Sequence, residues 1–121
     1  MSPPPKATGL KRLVNAARYS VDGLKATFSD EAAFRQELLA CLILIPLAFW
    51  RAPDALSLAM MIGSLMLVLV VELINSAIES VVDLHSTEIH PLAKKAKDAG
   101  SAAVLVMIAI TTITWVLISM E

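Results

Sequence analysis

Residues 99–120 carry no charged side chain, and they run through Val, Leu, Ile, Met and Thr with Trp115 near the end. About 20 such residues form a helix long enough to cross the ~30 Å hydrocarbon core of a bilayer. No other feature restricts the fold so sharply. The remaining apolar residues also arrive in blocks and not as stripes, and they raise the hydrophobic share of the 121 residues to 57%. Charged residues make up only 17%, against roughly 25% in an ordinary soluble domain. The solvent implied is lipid, and the length allows one domain, residues 1–121.

Two further spans are expected. The stretch 38–50 alone gives only about 20 Å of helix. The first span is therefore taken as 30–50, with Ser29 or Asp30 as its cap and Arg35, Gln36 and Glu37 at the membrane edge. Arg51-Ala-Pro-Asp54 reads as a polar turn, with Trp50 beside it as an interfacial anchor. The second span covers 55–84. A polar loop over 85–98, broken by Pro91, leads to the third span at 99–120. That span opens with the small residues Gly100-Ser-Ala-Ala103, which permit close helix approach. Cys41, the only cysteine, lies in the first span as a small hydrophobe and excludes an intrachain disulfide.

Residues 7–28 form an amphipathic pattern. Leu10, Leu13, Val14, Val21, Leu24 and Phe28 recur at helical spacing, opposite Lys11, Arg12, Arg18, Asp22 and Lys25. A solvated helix packed on the protein would show the same pattern. So little polar chain is available to pack on that a helix lying in the membrane interface is preferred. Met1-Ser-Pro-Pro-Pro-Lys6 has no apolar run close behind it, so no secretory signal is expected and the prolines read as an extended lead-in. The basic residues gather in the N-terminal segment and in the 85–98 loop. Two spans separate these segments, which puts both in the cytoplasm and the C-terminus in the periplasm.

Chemistry concentrates on the second span. Glu72, Asn75, Ser76, Glu79 and Asp83 fall within roughly a quarter to a third of a helix circumference. Glu72 lies about 25 Å from the Ala55 end, close to the cytoplasmic edge of the core. From the pattern alone, three arrangements stay open: a metal or phosphoryl site, a transport carboxylate, or a solvated helix end. A second set on the same side comprises Glu31, Glu37, Lys94, Lys97 and Asp98, with Arg12 nearby. Carboxylates for a Mg²⁺ ion, cationic clamps and a base are the parts phosphoryl transfer requires. The glycines are Gly9, Gly23, Gly63 and Gly100, so neither a P-loop nor a protein-kinase Gly-rich loop is present. His85 and His90 do not have zinc-site spacing, and a loop meeting nucleotide or solvent is preferred there.

Three segments resemble the prokaryotic diacylglycerol kinase family: Glu72-Leu-Ile-Asn75-Ser-Ala-Ile-Glu79-Ser-Val-Val-Asp83, Glu31-Ala-Ala-Phe-Arg-Gln-Glu37 and Ala96-Lys-Asp-Ala-Gly-Ser101. The resemblance extends from Arg12 through the third span. It implies an all-α membrane protein, with an interfacial N-terminal helix and three transmembrane helices, assembled as a homotrimer in the bacterial inner membrane. Its active sites would form at subunit boundaries. The implied activity transfers phosphate from ATP to diacylglycerol, with Mg²⁺ as cofactor, membrane lipid as surroundings and no nucleic acid partner. By position, Glu72 resembles the catalytic base, and Glu31 and Glu79 the metal ligands, which also contact ATP. Arg12, Tyr19, Glu88, His90, Lys97 and Asp98 match nucleotide-contacting positions. Glu37, Asn75, Ser101 and Asp83 correspond to residues that support the site or its lipid. The family also contains undecaprenol kinases, but Phe34-Arg-Gln-Glu37 and Asn75-Ser-Ala look more like the diacylglycerol branch. Outside the family, a small proton-coupled transporter is the alternative. Val21 and Phe28 stand where relatives often carry tryptophan, and Lys95 where arginine is common.

Overall fold

A chain in hydrocarbon must satisfy its backbone donors and acceptors internally, and helices do so within one segment. The computed structural model describes residues 8–85 and 90–121 together with Pro3 and Pro5. Four helices follow in order: α1 (Gly9–Asp30), α2 (Ala32–Arg51), α3 (Ala55–His85) and α4 (Pro91–Ser119). The last three are long and apolar enough to cross a membrane. In α4 only 11% of the apolar window is buried within the chain. Leu105, Val106, Ile113 and Leu117 are left exposed, a surface that suits lipid or another subunit and not water.

The α1–α2 junction differs from the expected cap. Ser29 and Asp30 still belong to α1, and Glu31 alone stands outside both helices, extended at φ −117 and ψ 109. Two interactions account for this. Arg35 Nη1 donates to the carbonyls of Phe28 at 2.6 Å and Ser29 at 3.0 Å, placing a cation on the unpaired carbonyls that end α1. The Glu31 N–H donates to the Thr27 carbonyl at 2.9 Å and prolongs the same turn.

The segment 91–98, read as loop, is instead the polar start of α4. Pro91 occupies the first helical turn, where its missing N–H costs nothing. His90 precedes it as the cap, its Nδ1 accepting from the Leu92 N–H at 3.1 Å. Lys94 and Asp98 pair one turn apart. Proline thus opens a helix at this position and does not break one.

The other turn is held by Asp54, whose carboxylate accepts the Ser57 N–H at 2.7 Å and caps α3. That bond holds the Asp54 carboxyl below the usual carboxylate range.

Helices α3 and α4 run antiparallel and form the main pairing, with α2 packed on α3. Trp115 Nε1 donates to the Met61 carbonyl at 3.1 Å, and Thr111 Oγ1 to the Ser64 carbonyl at 3.1 Å. Phe34, Cys41, Leu65 and Leu69 form the core, with Leu38, Leu73 and Trp115 against it. No residue of α1 is buried, and Leu10, Leu13 and Phe28 are among its exposed apolar side chains.

Candidate active site

The polar stripe of α3 meets α2 and α4 where Gly100 brings two backbones together. Gly100 is buried, and a β-carbon built on it would overlap Asn75 Oδ1, with Asn75 Cγ at 3.2 Å. Only glycine lets the Asn75 amide lie flat on α4. The space beside this contact is a cavity of about 570 Å³ whose lining includes Glu31, Glu37, Glu72, Asn75, Glu79 and Ser101, with Gln36, Ala40 and Ile108 among the other wall residues. One helix break and two helices, α2 and α3, therefore deliver four carboxylates to one place, and α4 closes it with Ser101.

Burial differs among them. Glu72 is 5% exposed and Asn75 8%, while Glu31, Glu37 and Glu79 are half-buried. The Glu31 carboxylate accepts from Ser76 Oγ at 3.2 Å, which ties the α1–α2 junction to α3. Glu31, Glu37 and Glu79 lie close enough to Glu72 to act on it electrostatically. Glu37 Oε2 and Asn75 Oδ1 are buried without a hydrogen-bond partner. A cavity rich in acceptors and poor in donors is unfavourable until a cation or a donor enters it.

Hard oxygen donors of this kind fit a divalent cation such as Mg²⁺. Among the described residues, no three His, Cys, Asp or Glu side chains stand close enough to cage a metal by themselves.

The remaining residues singled out in the sequence divide. Lys97 Nζ pairs with Asp83 at 2.6 Å and feels Glu79, so both stand at the polar mouth of the same stripe. Asp98 pairs with Lys94 on the outer face of α4. His90 caps α4 and lines a separate hollow with Val81, Val82 and His85. Arg12 and Tyr19 are exposed on α1 and do not line the carboxylate cavity of their own chain. Glu88 lies outside the described residues. Sequence reasoning missed Gln36 as a lining residue and Arg35 as the clamp on α1. It noted Gly100 only as a small residue that permits close helix approach.

Residues 18–119 match the family model described as prokaryotic diacylglycerol kinase. The chain is 50% identical over 108 residues to the diacylglycerol kinase of Escherichia coli K12, covering 89% of this chain and 88% of that one. It is 51% identical over 117 residues to the Pseudomonas aeruginosa protein of the same name, covering 95% of each. The Haemophilus influenzae protein, also named diacylglycerol kinase, is 46% identical over 110 residues, covering 91% and 93%. A match that spans α2, α3 and α4, and with them every residue lining the carboxylate cavity, settles the relationship: this chain belongs to the prokaryotic diacylglycerol kinase family.

Proposed function

We infer that the protein is a lipid kinase that transfers the γ-phosphoryl group of ATP to the hydroxyl of 1,2-diacylglycerol and yields phosphatidic acid. The observation that carries this reading is the burial of Glu72 in a cavity open to two supplies. Its wall runs from the apolar Val104 and Ile108 to the carboxylates of Glu31 and Glu79, and one turn beyond Glu79 on α3 Asp83 pairs with Lys97. Glu72 takes the hydroxyl proton as the hydroxyl oxygen forms its bond to the γ-phosphorus. The bond from that phosphorus to the β–γ bridging oxygen breaks, and ADP departs. Asn75, pinned by Gly100, and Ser101 orient the acceptor, and Glu37 holds Glu72 in place. Lys97 offers charge to the phosphates once they draw it from Asp83. Glu31 and Glu79 are the residues that would hold Mg²⁺, which when bound neutralises phosphate charge.

Arg12, Tyr19, Glu88, His90 and Asp98 are assigned to the nucleotide. The first two do not line their own chain's cavity, which favours a composite site in a homotrimer. The uncovered apolar faces of α2, α3 and α4 support the same assembly. The exposed apolar stripe of α1 supports a helix lying in the interface of the bacterial inner membrane. The N-terminus and the α3–α4 connection face the cytoplasm, and Glu121 faces the periplasm.

The test is purified protein in mixed micelles with Mg-ATP and diacylglycerol, scored for phosphatidic acid. A parallel arm supplies undecaprenol. Turnover of diacylglycerol at least tenfold above undecaprenol is expected. Undecaprenol turning over faster would move the protein to the polyprenol branch, and no product from either alcohol would end the kinase reading.

A further inference from the structure

The Ser76–Glu31 bond divides the carboxylate cavity from a second one, of about 490 Å³, between α1 and α3. Its lining includes Asp30 and the hydroxyls of Ser20, Thr27, Ser76 and Ser80, with Leu24 and Leu73 among the apolar residues. No residue lines both cavities. We propose that this second cavity is a lipid headgroup site that holds the primary ammonium of a phosphatidylethanolamine. That lipid is a resident of the surrounding bilayer and not the acceptor of phosphate, so the site stands apart from the kinase reading.

Depth supports it. Leu73 and Ser80 lie about 27 and 38 Å along α3 from Ala55, at and beyond the edge of a ~30 Å hydrocarbon core. The facing wall is α1, whose exposed apolar stripe suits the membrane interface. The cavity therefore stands at the level of phospholipid headgroups.

The lining chemistry selects the head group. Ser20 Oγ donates to the Ala16 carbonyl and Thr27 Oγ1 to the Gly23 carbonyl, each at 2.8 Å. Ser80 Oγ donates to the Ser76 carbonyl at 3.0 Å, and Ser76 Oγ to Glu31 at 3.2 Å. With every hydroxyl proton engaged, the four oxygens are left to an occupant only as acceptors. Among the described residues lining the cavity there is no Lys, Arg, His or side-chain amide. The ion pairs among the described residues, Lys94–Asp98 and Lys97–Asp83, leave Asp30 out. Asp30 also closes the last turn of α1, where the negative end of the helix dipole favours a cation. Arg35 meets that end at Phe28 and Ser29 but does not line the cavity. An anionic head group would be repelled here, and a trimethylated ammonium has no N–H to give. A primary ammonium brings three donors and makes charge-assisted bonds to a carboxylate.

The experiment offers the assembled protein, in decyl maltoside micelles, equal amounts of dioleoylphosphatidylethanolamine and dioleoylphosphatidylcholine, and counts retained lipid by native mass spectrometry. Phosphatidylethanolamine should be retained about two- to fivefold over phosphatidylcholine, the range of a solvent-exposed ion pair. Asp30→Asn should abolish the preference, whereas Asp22→Asn, on α1 but outside the cavity lining, should keep it. Gly23→Phe puts a ring into the cavity, and a β-carbon at Gly23 meets nothing within 4 Å, so this variant should assemble and still lose the preference. Equal retention of the two lipids by the parent overturns the proposal, and so does a preference that survives Asp30→Asn or that Asp22→Asn also removes. In a second arm, a zero-length carbodiimide is added to the protein in bilayers containing both lipids, and the peptide bearing Asp30 is recovered. An amide between the Asp30 carboxyl and the phosphatidylethanolamine amine is expected. Coupling of Asp30 to a lysine of a second copy instead shows the cavity filled by protein and overturns the proposal.

Discussion

Gly100→Ala sets two known effects against each other. Alanine in place of glycine inside a helix gains about 1 kcal/mol from backbone entropy. Against this stands the overlap of the new β-carbon with Asn75 Oδ1. Rotating the amide clears the oxygen but leaves Cγ at 3.2 Å and Cβ at 3.8 Å. The contact at Cγ obliges α4 or Asn75 to move by a few tenths of an ångström, and overpacking of this order costs about 1–3 kcal/mol. The overlap wins, and the net loss should reach up to about 2 kcal/mol. Gly63→Ala is the internal comparison, because its β-carbon meets nothing within 4 Å and only the favourable term remains. Stability would be read from denaturant titration in decyl maltoside micelles, and activity from phosphatidic acid formation. Gly100→Ala should be less stable than the parent and at least tenfold less active, since the displaced Asn75 lines the cavity. Asn75→Ala added to it should restore stability and leave activity low, the coupling expected of residues in contact. A Gly100→Ala protein as stable and active as Gly63→Ala would refute the close approach.

Glu72→Gln keeps the shape and loses the base, so turnover should fall by about 10²–10⁴ with Mg-ATP binding nearly intact; retention of more than about a tenth removes Glu72 from that role. Glu31→Gln and Glu79→Gln should each raise the Mg²⁺ concentration needed for half-maximal rate and weaken Mn²⁺ binding followed by electron paramagnetic resonance. Unchanged titrations in both would clear them of metal binding. Asp54→Ala should lower stability at neutral pH. Because the folded carboxyl sits below its unfolded value, the contribution is present above about pH 4 and disappears as pH falls through the lowered folded value. The gap between parent and variant in thermal inactivation should close on acidification, and a gap constant with pH would exclude the capping carboxylate. Cysteines placed at Ser2 and Glu121 in a Cys41→Ala background should differ in labelling by an impermeant reagent on intact cells, with Glu121 alone reacting. Labelling of Ser2 alone would invert the topology.

The third span could be read directly from the sequence because hydrocarbon demands a long charge-free run, whereas the first had to be extended past Arg35 and Glu37 to reach the length of a crossing helix. The stripe from Glu72 to Asp83 was equally readable, since helical periodicity fixes which side chains share a face. What joins one helix to another was harder to see. Pro91 and the lysines after it look like loop to any local rule, and only the His90 cap and the Lys94–Asp98 pair turn them into a helix start. Arg35 gave no sign of reaching back to Phe28 and Ser29, because that bond depends on the angle between α1 and α2. The carboxylate cavity is likewise a product of packing: the family resemblance alone, and no local pattern, assigns Glu31 and Glu37 to the site of Glu72.

The joint at Glu31 constrains how such a chain can change. Surface connections usually absorb insertions, but here a single extended residue separates two helices, and its own carboxylate reaches Ser76. One added residue on either side would turn α1 about 100° against α2, carrying Arg12 and Tyr19 to a different bearing and withdrawing the Phe28 and Ser29 carbonyls from Arg35. Outside Arg12, Tyr19 and the apolar stripe, exposed side chains along α1 are free to drift, whereas the count of residues between α1 and α2 is not. Length, more than identity, is what descent must conserve at this point of the chain.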